Sequence, residues 1–365
     1  MNQQSQIIRD KLTLFVENYQ NIKGSFNMHY PVVKRLSALA YTLENKQMDV
    51  TNINEAHQLI KSDVGMFSNF RGTFVIYLAT VLSLQEFPQQ TFSDVQRIYS
   101  LLNNNGFWKN DYLVLSALEI AKSAESSKHS HIASRAMDFY KAMKANHRFH
   151  ISTDDYLFTV MLAMSDMDVQ TGTNKVRQLF SLLRNDFGFW TNSNSLLHLA
   201  QVLALGGHPG DCVQELMHLK RILKKRKIRL DKNPVLSALG IVGLFPINHN
   251  VISTELESSI NFLREQKGFG AWSDVHQEEI LLYAVSILAS VWANEISGLL
   301  QSDIVSTSTN NIMNNQLLLN PALNPALNPV WLASPALAQQ VVMCNAVGYC
   351  SYSCATYSGG YSGGC

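Results

Sequence analysis

Four cysteines crowd the last 22 residues of the chain, Cys344, Cys350, Cys354 and Cys365, in the spacing Cys-x5-Cys-x3-Cys-x10-Cys. Thiols at this density can bind a metal, form disulfides or be covalently modified. Structural zinc sites use cysteine pairs about two to four residues apart, commonly with histidine partners. Only Cys350 and Cys354 meet that spacing and the peptide has no His, so it matches a zinc site poorly. Disulfides belong to oxidising compartments. The fifth cysteine, Cys212, stands alone in the preceding chain, as in a protein kept in a reducing cytoplasm. A disulfide knot would therefore require that the tail be exported first.

The segment that presents these thiols is unusual in charge. After Asp303 there is no Lys, Arg, Asp or Glu, so every charge lies in the first 303 residues. A stretch this short cannot bury a core of its own. Residues 306–315 are polar and of low complexity. Leu319-Asn-Pro-Ala-Leu-Asn-Pro-Ala-Leu-Asn-Pro329 then places proline at every fourth position. Proline there excludes helix and central strand and favours a semi-rigid, extended spacer. The small residues of 330–338 suit a protease or a docking groove. The chain divides into a body at 1–300, an Asn/Pro-rich linker at 301–332, and a Cys/Tyr/Gly/Ser-rich peptide at 333–365.

This order of recognition region, spacer and Cys/Ser/Thr/Tyr/Gly-rich C-terminal core resembles ribosomally synthesised, post-translationally modified peptide precursors. The resemblance implies that Cys344, Cys350, Cys354 and Cys365 become cross-linked by dedicated enzymes, as thioethers. Lanthionine chemistry would take dehydrated Ser351 or Ser353 to Cys354, and Thr356, Ser358 or Ser362 to Cys365. Cys344 and Cys350 have only Ser334 upstream, which counts against simple pairing in the usual direction. Radical-enzyme links to α-carbons need no particular acceptor, and Tyr349, Tyr352, Tyr357 and Tyr361 are available for aromatic cross-links. Both routes stay open. The implied partners are peptide-modifying enzymes and a protease or exporter. The departure from the precursor pattern is size, because here the leader would be a whole folded domain.

The chain has 46% hydrophobic content and a formal charge of +1, which gives no bulk attraction to nucleic acid or anionic lipid. Its first residues, Met1-Asn-Gln-Gln-Ser-Gln6, lack the basic and apolar regions of a secretion signal. The longest strongly apolar stretch, 280–293, is too short to span a bilayer and reads as a buried helix. A cytoplasmic protein without a transmembrane segment is expected.

Repetition organises the body. Gly24-Ser-Phe26, Gly65-Met-Phe67, Gly106-Phe-Trp108, Gly188-Phe-Trp190 and Gly268-Phe269 share a mark, with the first three glycines 41 residues apart and Gly106 to Gly188 spanning 82. His147-Arg-Phe149 and Arg229-Leu230 occupy the intermediate places without glycine. Apolar residues before each mark recur at helical spacing, as in Val95, Ile98, Tyr99, Leu101 and Leu102. Glycine would supply the left-handed residue past a helix end, and the aromatic would fold back on the last turn as in a Schellman cap. Asn69, Asp111, Thr153 or Asp154, Ser193 and Asp274 are candidate N-caps for the helices that follow. Those helices, such as 74–82 and 156–163, are apolar on most faces and belong to an inner layer. The expectation is an all-α fold of about seven αα-hairpins of ~41 residues, in a solenoid or a closed α/α toroid.

Gln266-x-x-x-Gly270-x-Trp272 resembles the repeat motif of triterpene cyclases and related α/α-toroid proteins, where it ties helix ends together. Their catalytic Asp-x-Asp-Asp motif is missing: Asp154-Asp155 follows Ser152-Thr153, and Asp166-Met-Asp168 is followed by Val. The Gly-Phe-Trp marks and the helix start Arg71-Gly-Thr-Phe-Val-Ile-Tyr77 also resemble a bacterial helical family catalogued as domain of unknown function 4003. That resemblance implies no activity.

Searching the body for chemistry yields no enzyme. His129-Ser-His131 and His147-Arg-Phe-His150 lack the spacing that places two ligands on one helix face. Cys212 opens a helix, where a small residue tucked under a loop is the favoured reading over a reactive thiol. No phosphate-cradling glycine loop and no Gly-x-Ser-x-Gly elbow occurs. No cofactor and no metal are expected. Eight basic residues do fall within thirteen positions, Lys220, Arg221, Lys224, Lys225, Arg226, Lys227, Arg229 and Lys232. Leu216, Leu219, Ile222 and Leu223 would form the buried stripe, leaving the charges to water or to an acidic surface on a partner protein. Nucleic acid fits less well, since no Arg/aromatic stacking platform accompanies them. The expected function is a non-enzymatic precursor whose body docks partner enzymes and whose tail is their substrate. The alternative is a helical-repeat interaction scaffold with a metal-binding or self-associating tail.

Overall fold

A computed structural model describes residues 3–292 apart from 28, 67, 147–150, 189, 207–208, 246 and 271. The described residues form fourteen α-helices, four short 3-10 turns and no strand. In chain order the helices are α1 (Gln3–Ile22), α2 (Pro31–Leu43), α3 (Val50–Asp63), α4 (Val75–Ser83) and α5 (Pro88–Asn104). Then follow α6 (Asp111–Ser123), α7 (His129–Asn146), α8 (Tyr156–Met164), α9 (Val169–Phe187) and α10 (Ser193–Gly206). The last are α11 (Pro209–Lys225), α12 (Leu236–Gly243), α13 (His249–Glu265) and α14 (Gln277–Trp292). Consecutive pairs make seven hairpins, as the repeat predicts.

Burial separates two layers. An odd-numbered helix such as α5 buries one stripe, Phe92, Val95, Ile98, Tyr99 and Leu102, at the spacing of a helix with one face on the core. The even-numbered helices are buried nearly all round: Val75 to Leu82 in α4, and Tyr156 to Ala163 in α8. A helix apolar on every face has only the interior to occupy, so the even helices form the inner layer. Along that layer α2 packs on α4, α6 on α8, α8 on α10, α10 on α12 and α12 on α14. Residues about one repeat apart consequently meet: Thr80 Oγ1 donates to Ser37 Oγ at 2.8 Å, and the Tyr41 and Ser83 hydroxyls are 2.8 Å apart.

The first and last hairpins are in contact, since α1 packs on α13 and α14, and α14 touches α2. The Phe15 ring lies 5.4 Å from Phe269 and 4.9 Å from Tyr283. Gln20 Nε2 donates to the Lys267 carbonyl at 2.7 Å, and the Arg9 guanidinium sits 4.0 Å over the Phe262 ring.

Three marks place a glycine of positive φ at or just beyond a helix end, Gly106, Gly188 and Gly268 at 111°, 78° and 93°. At Gly106 the Schellman pair is complete: the Phe107 N–H reaches the Leu102 carbonyl at 3.3 Å and the Gly106 N–H that of Asn103 at 2.9 Å. Gly24 and Gly65 do not take a positive φ, contrary to expectation. In the first unit α1 ends at Ile22, and Phe26 is the left-handed residue, at 51°. In the sixth unit the cap is built without glycine, by Lys227 at φ 62°, with Ile228 N–H bonded to Leu223 O at 2.9 Å. His147-Arg-Phe149 lies outside the described residues.

The marks at Gly106 and Gly268 divide their aromatics. Phe107 and Phe269 are buried on the preceding turn, while Trp108, Trp190 and Trp272 are 77%, 94% and 102% exposed. Trp272, at full exposure, ties nothing together. Gln266 donates to the Phe262 carbonyl at 3.0 Å within its own helix end. The loop is instead gathered by Arg264, whose Nη1 donates to the Phe269 and Val275 carbonyls at 3.0 and 3.2 Å.

The N-caps sit one residue earlier than expected. Asn110, not Asp111, accepts from the Leu113 N–H at 2.9 Å, and Asn192, not Ser193, accepts from the Asn194 N–H at 2.9 Å. Ser152 precedes the turn at 153–155, and Ser68 caps the 3-10 turn that begins at Asn69. Asp274 caps no helix, because α14 begins only at Gln277; it pairs with Arg35 at 3.2 Å.

Candidate functional site

The predicted cross-linking residues Cys344, Cys350, Cys354 and Cys365, with their candidate acceptors, lie outside the described residues, as do the boundaries expected at 300/301 and 332/333. The basic segment is described. Leu216, Leu219 and Leu223 of α11 are buried, as the stripe requires, and Ile222 is half-buried.

The basic side chains then divide by what they touch. The Lys220 ammonium lies 3.7 Å from the Phe187 ring centroid, and burial lowers its pKa. Arg226 pairs with Glu257 at 2.6 Å, Arg229 with Asp231 at 2.7 Å, and Lys232 with Glu278 at 3.3 Å. Lys227 is exposed, and its backbone forms the helix cap. Arg221, Lys224 and Lys225 are exposed, and with His218 and Ile222 they line a shallow groove on α11. Lys224 and Lys225 also fall in the last helical turn, where cations complement the helix dipole. The outward basic surface is therefore narrower than the sequence run suggests.

Two other clusters join residues from separate repeats. At the starts of α8 and α10, His198 Nε2 lies 3.5 Å from Asp154 Oδ2 and 3.4 Å from Asp155 Oδ1. Asp155 is fully buried and is held at both oxygens: Gln201 Nε2 donates to Oδ1 at 2.9 Å and the Ser152 N–H to Oδ2 at 2.9 Å. The His198 ring stacks on Phe158 at 5.4 Å and 27°. Burial and then the Asp155 charge raise the Asp154 pKa. Burial alone would lower that of His198, but the Asp155 and Asp154 carboxylates outweigh it and raise it. On the surface, Glu215 and His218 of α11 meet His249, with the His218 and His249 Nδ1 atoms 3.0 Å apart and His249 Nε2 3.7 Å from Glu215. Both trios hold their ligand-type atoms within 4.8 Å of one another. Neither stands out in the sequence, because each is completed from another hairpin: His198 lies 43 residues beyond Asp155, and His249 lies 31 residues beyond His218.

The histidines singled out earlier do not join them. His129 is buried, with Nδ1 2.7 Å from Arg97 and Nε2 3.0 Å from the Ala124 carbonyl; His131 is exposed, and His147 and His150 are not described. Cys212 is half-buried in α11. No described helix is long and apolar enough to cross a membrane.

Comparison with known proteins gives one curated relative to report, an uncharacterised protein, YeaA, of Bacillus subtilis (strain 168). It is 23% identical over 204 residues, 54% of this chain and 61% of the relative. The match thus spans less than two thirds of that relative. No solved structure matches significantly. A family profile described as protein of unknown function (DUF4003) matches residues 18–318. That range takes in all but the first turns of the helical body, and the chain belongs to this family.

Proposed function

We propose that this chain is a non-enzymatic carrier of its own C-terminal peptide. The helical body acts as the leader, docking modifying enzymes in the cytoplasm, and 333–365 is the substrate. The cysteines are cross-linked there, as thioethers, and the peptide is then released by a protease or exporter. The observation that carries the reading is the partition of one chain into a charged part and an uncharged tail. Every Lys, Arg, Asp and Glu precedes residue 304, while four of five cysteines follow residue 343 behind a proline spacer. The exposed Arg221, Lys224 and Lys225 groove supports docking to an acidic partner surface, since clustered charge speeds and orients encounter.

The test is a charge reversal of all three groove residues to Glu, expressed in the native host in place of the natural gene. The variant should keep its melting temperature and accumulate an unmodified tail. A tail processed as in the natural protein would remove α11 as the docking element. A natural protein whose tail thiols are all intact would sink the carrier reading itself.

A further inference from the structure

We propose that Asp154, Asp155 and His198 form a binding site for a divalent cation of the zinc type, held between the starts of α8 and α10. The inference goes beyond the carrier reading and does not depend on the fate of the tail.

The spacing fits the ion. At ordinary Zn–N and Zn–O lengths of about 2.0–2.1 Å, tetrahedral ligand atoms stand about 3.3–3.4 Å apart. His198 Nε2 lies 3.4 Å from Asp155 Oδ1 and 3.5 Å from Asp154 Oδ2, two edges of such a tetrahedron. One imidazole and two carboxylates are a donor set that zinc accepts, and they leave a fourth position for water. Asp154, with 21% of its side chain exposed, gives the ion a way in.

A second observation points the same way. His198 is 92% buried by its 8% residual exposure, and its Nε2 makes no hydrogen bond. An imidazolium held by these carboxylates would aim its N–H along one of the two contacts. Here Nε2 lies 3.4 and 3.5 Å from the two oxygens, nearly equidistant, as ligand atoms around one ion are. Gln201 is also fully buried, and its Oε1 has no partner although its Nε2 is engaged by Asp155. That leaves an acceptor beside the trio for a metal-bound water.

The supporting contacts are those that fix ligands before an ion arrives. Phe158 sets the imidazole plane, and Gln201 and the Ser152 N–H clamp the Asp155 carboxylate. Such outer partners are a regular part of metal sites. The ion would also relieve an electrostatic cost, because the part-exposed Asp154 carboxylate and the fully buried Asp155 carboxylate have a single imidazole between them.

The experiment uses the full-length protein with every thiol blocked by iodoacetamide, so that the tail cysteines cannot compete. Zinc is titrated against a chromogenic chelator, and melting temperature is followed with and without the ion. The expected result is one tightly bound zinc ion that raises the melting temperature. Asp154→Asn and His198→Gln should weaken binding by about tenfold or more. Asp154→Asn, at a part-exposed position, remains informative should His198→Gln fail to fold. His249→Gln should bind as the natural protein does. Absence of zinc binding by the blocked protein would overturn the proposal and leave a His–Asp ion pair. So would unchanged binding in Asp154→Asn, or loss of binding in His249→Gln, which would assign the ion to the surface trio.

Discussion

Arg35 Nε donates to Glu279 Oε1 at 2.6 Å although 244 residues separate them in the chain, and this bond joins the first hairpin to the last. The two side chains are 2% and 1% exposed. The Tyr283 hydroxyl also donates to Glu279, and Asp274 accepts from Arg35 Nη1 at 3.2 Å. A buried pair satisfied in this way is costly to halve, because the remaining charge is left without compensation. Arg35→Met should destabilise the body by about 3–5 kcal/mol in denaturant unfolding. Adding Glu279→Leu should recover part of that loss, the signature of direct coupling. Single and double variants that unfold like the natural protein would mean that the first and last hairpins do not meet through this pair.

Asp111 predicts a pH dependence. It is 8% exposed, and burial pushes its pKa up to about 6 from 3.8. The folded state therefore binds this proton more tightly than the unfolded chain does. Its contribution is fully present below pH 3.8 and is lost as pH rises through about 6. The loss is on the order of 2–3 kcal/mol. Asp111→Asn should therefore raise the melting temperature relative to the natural protein above pH 7 and not near pH 4. An equal shift at both pH values would refute the assignment.

Lys227 occupies a left-handed position that glycine fills at Gly106 and Gly188, with φ of 62°. Relief of the side-chain strain should make Lys227→Gly more stable by about 0.5–1 kcal/mol. The converse change, Gly188→Ala, meets no atom within 4 Å, so its cost reads the backbone alone. About 1 kcal/mol of destabilisation is expected there. Thermal unfolding of both variants checks the pair of signs.

Truncating the exposed groove separates docking charge from folding charge. Arg221, Lys224 and Lys225 changed together to Ala should leave stability within about 0.5 kcal/mol per site of the natural protein. Arg226→Ala instead removes the 2.6 Å partner of Glu257, and should cost up to about 1 kcal/mol at this half-exposed site. Urea midpoints distinguish the two.

The helical layers were legible in the sequence because their causes are local. The stripe of Phe92, Val95, Ile98 and Leu102 and the unbroken apolar run of α4 fix outer and inner roles from a few neighbouring residues. The beat of glycines located three helix ends for the same reason. Cap positions were missed by one because Asn110-Asp111 and Asn192-Ser193 each offer two competent residues, and the burial register of the helix chooses between them. The contact between first and last hairpins stood in the sequence only as one of two alternatives, solenoid or toroid, since Arg35 and Glu279 belong to no motif and are 244 residues apart. The Asp154, Asp155 and His198 trio lies between these cases. Ser37 with Thr80, and Asp155 with Gln201, are 43 and 46 residues apart and in contact across adjacent inner helices. A search at that offset, rather than at the spacing of one helix face, would have paired Asp155 with His198.

The carrier reading is tested most directly by the mass of the C-terminal tryptic peptide from the native host. Lys267 is the last tryptic site, so this peptide runs 268–365 and contains all four tail cysteines without Cys212. The account predicts a peptide lighter than its sequence, by one water for each lanthionine or a hydrogen pair for each link to an α-carbon. Its cysteines should neither reduce nor alkylate. A peptide at its unmodified mass with four freely alkylating thiols would contradict it.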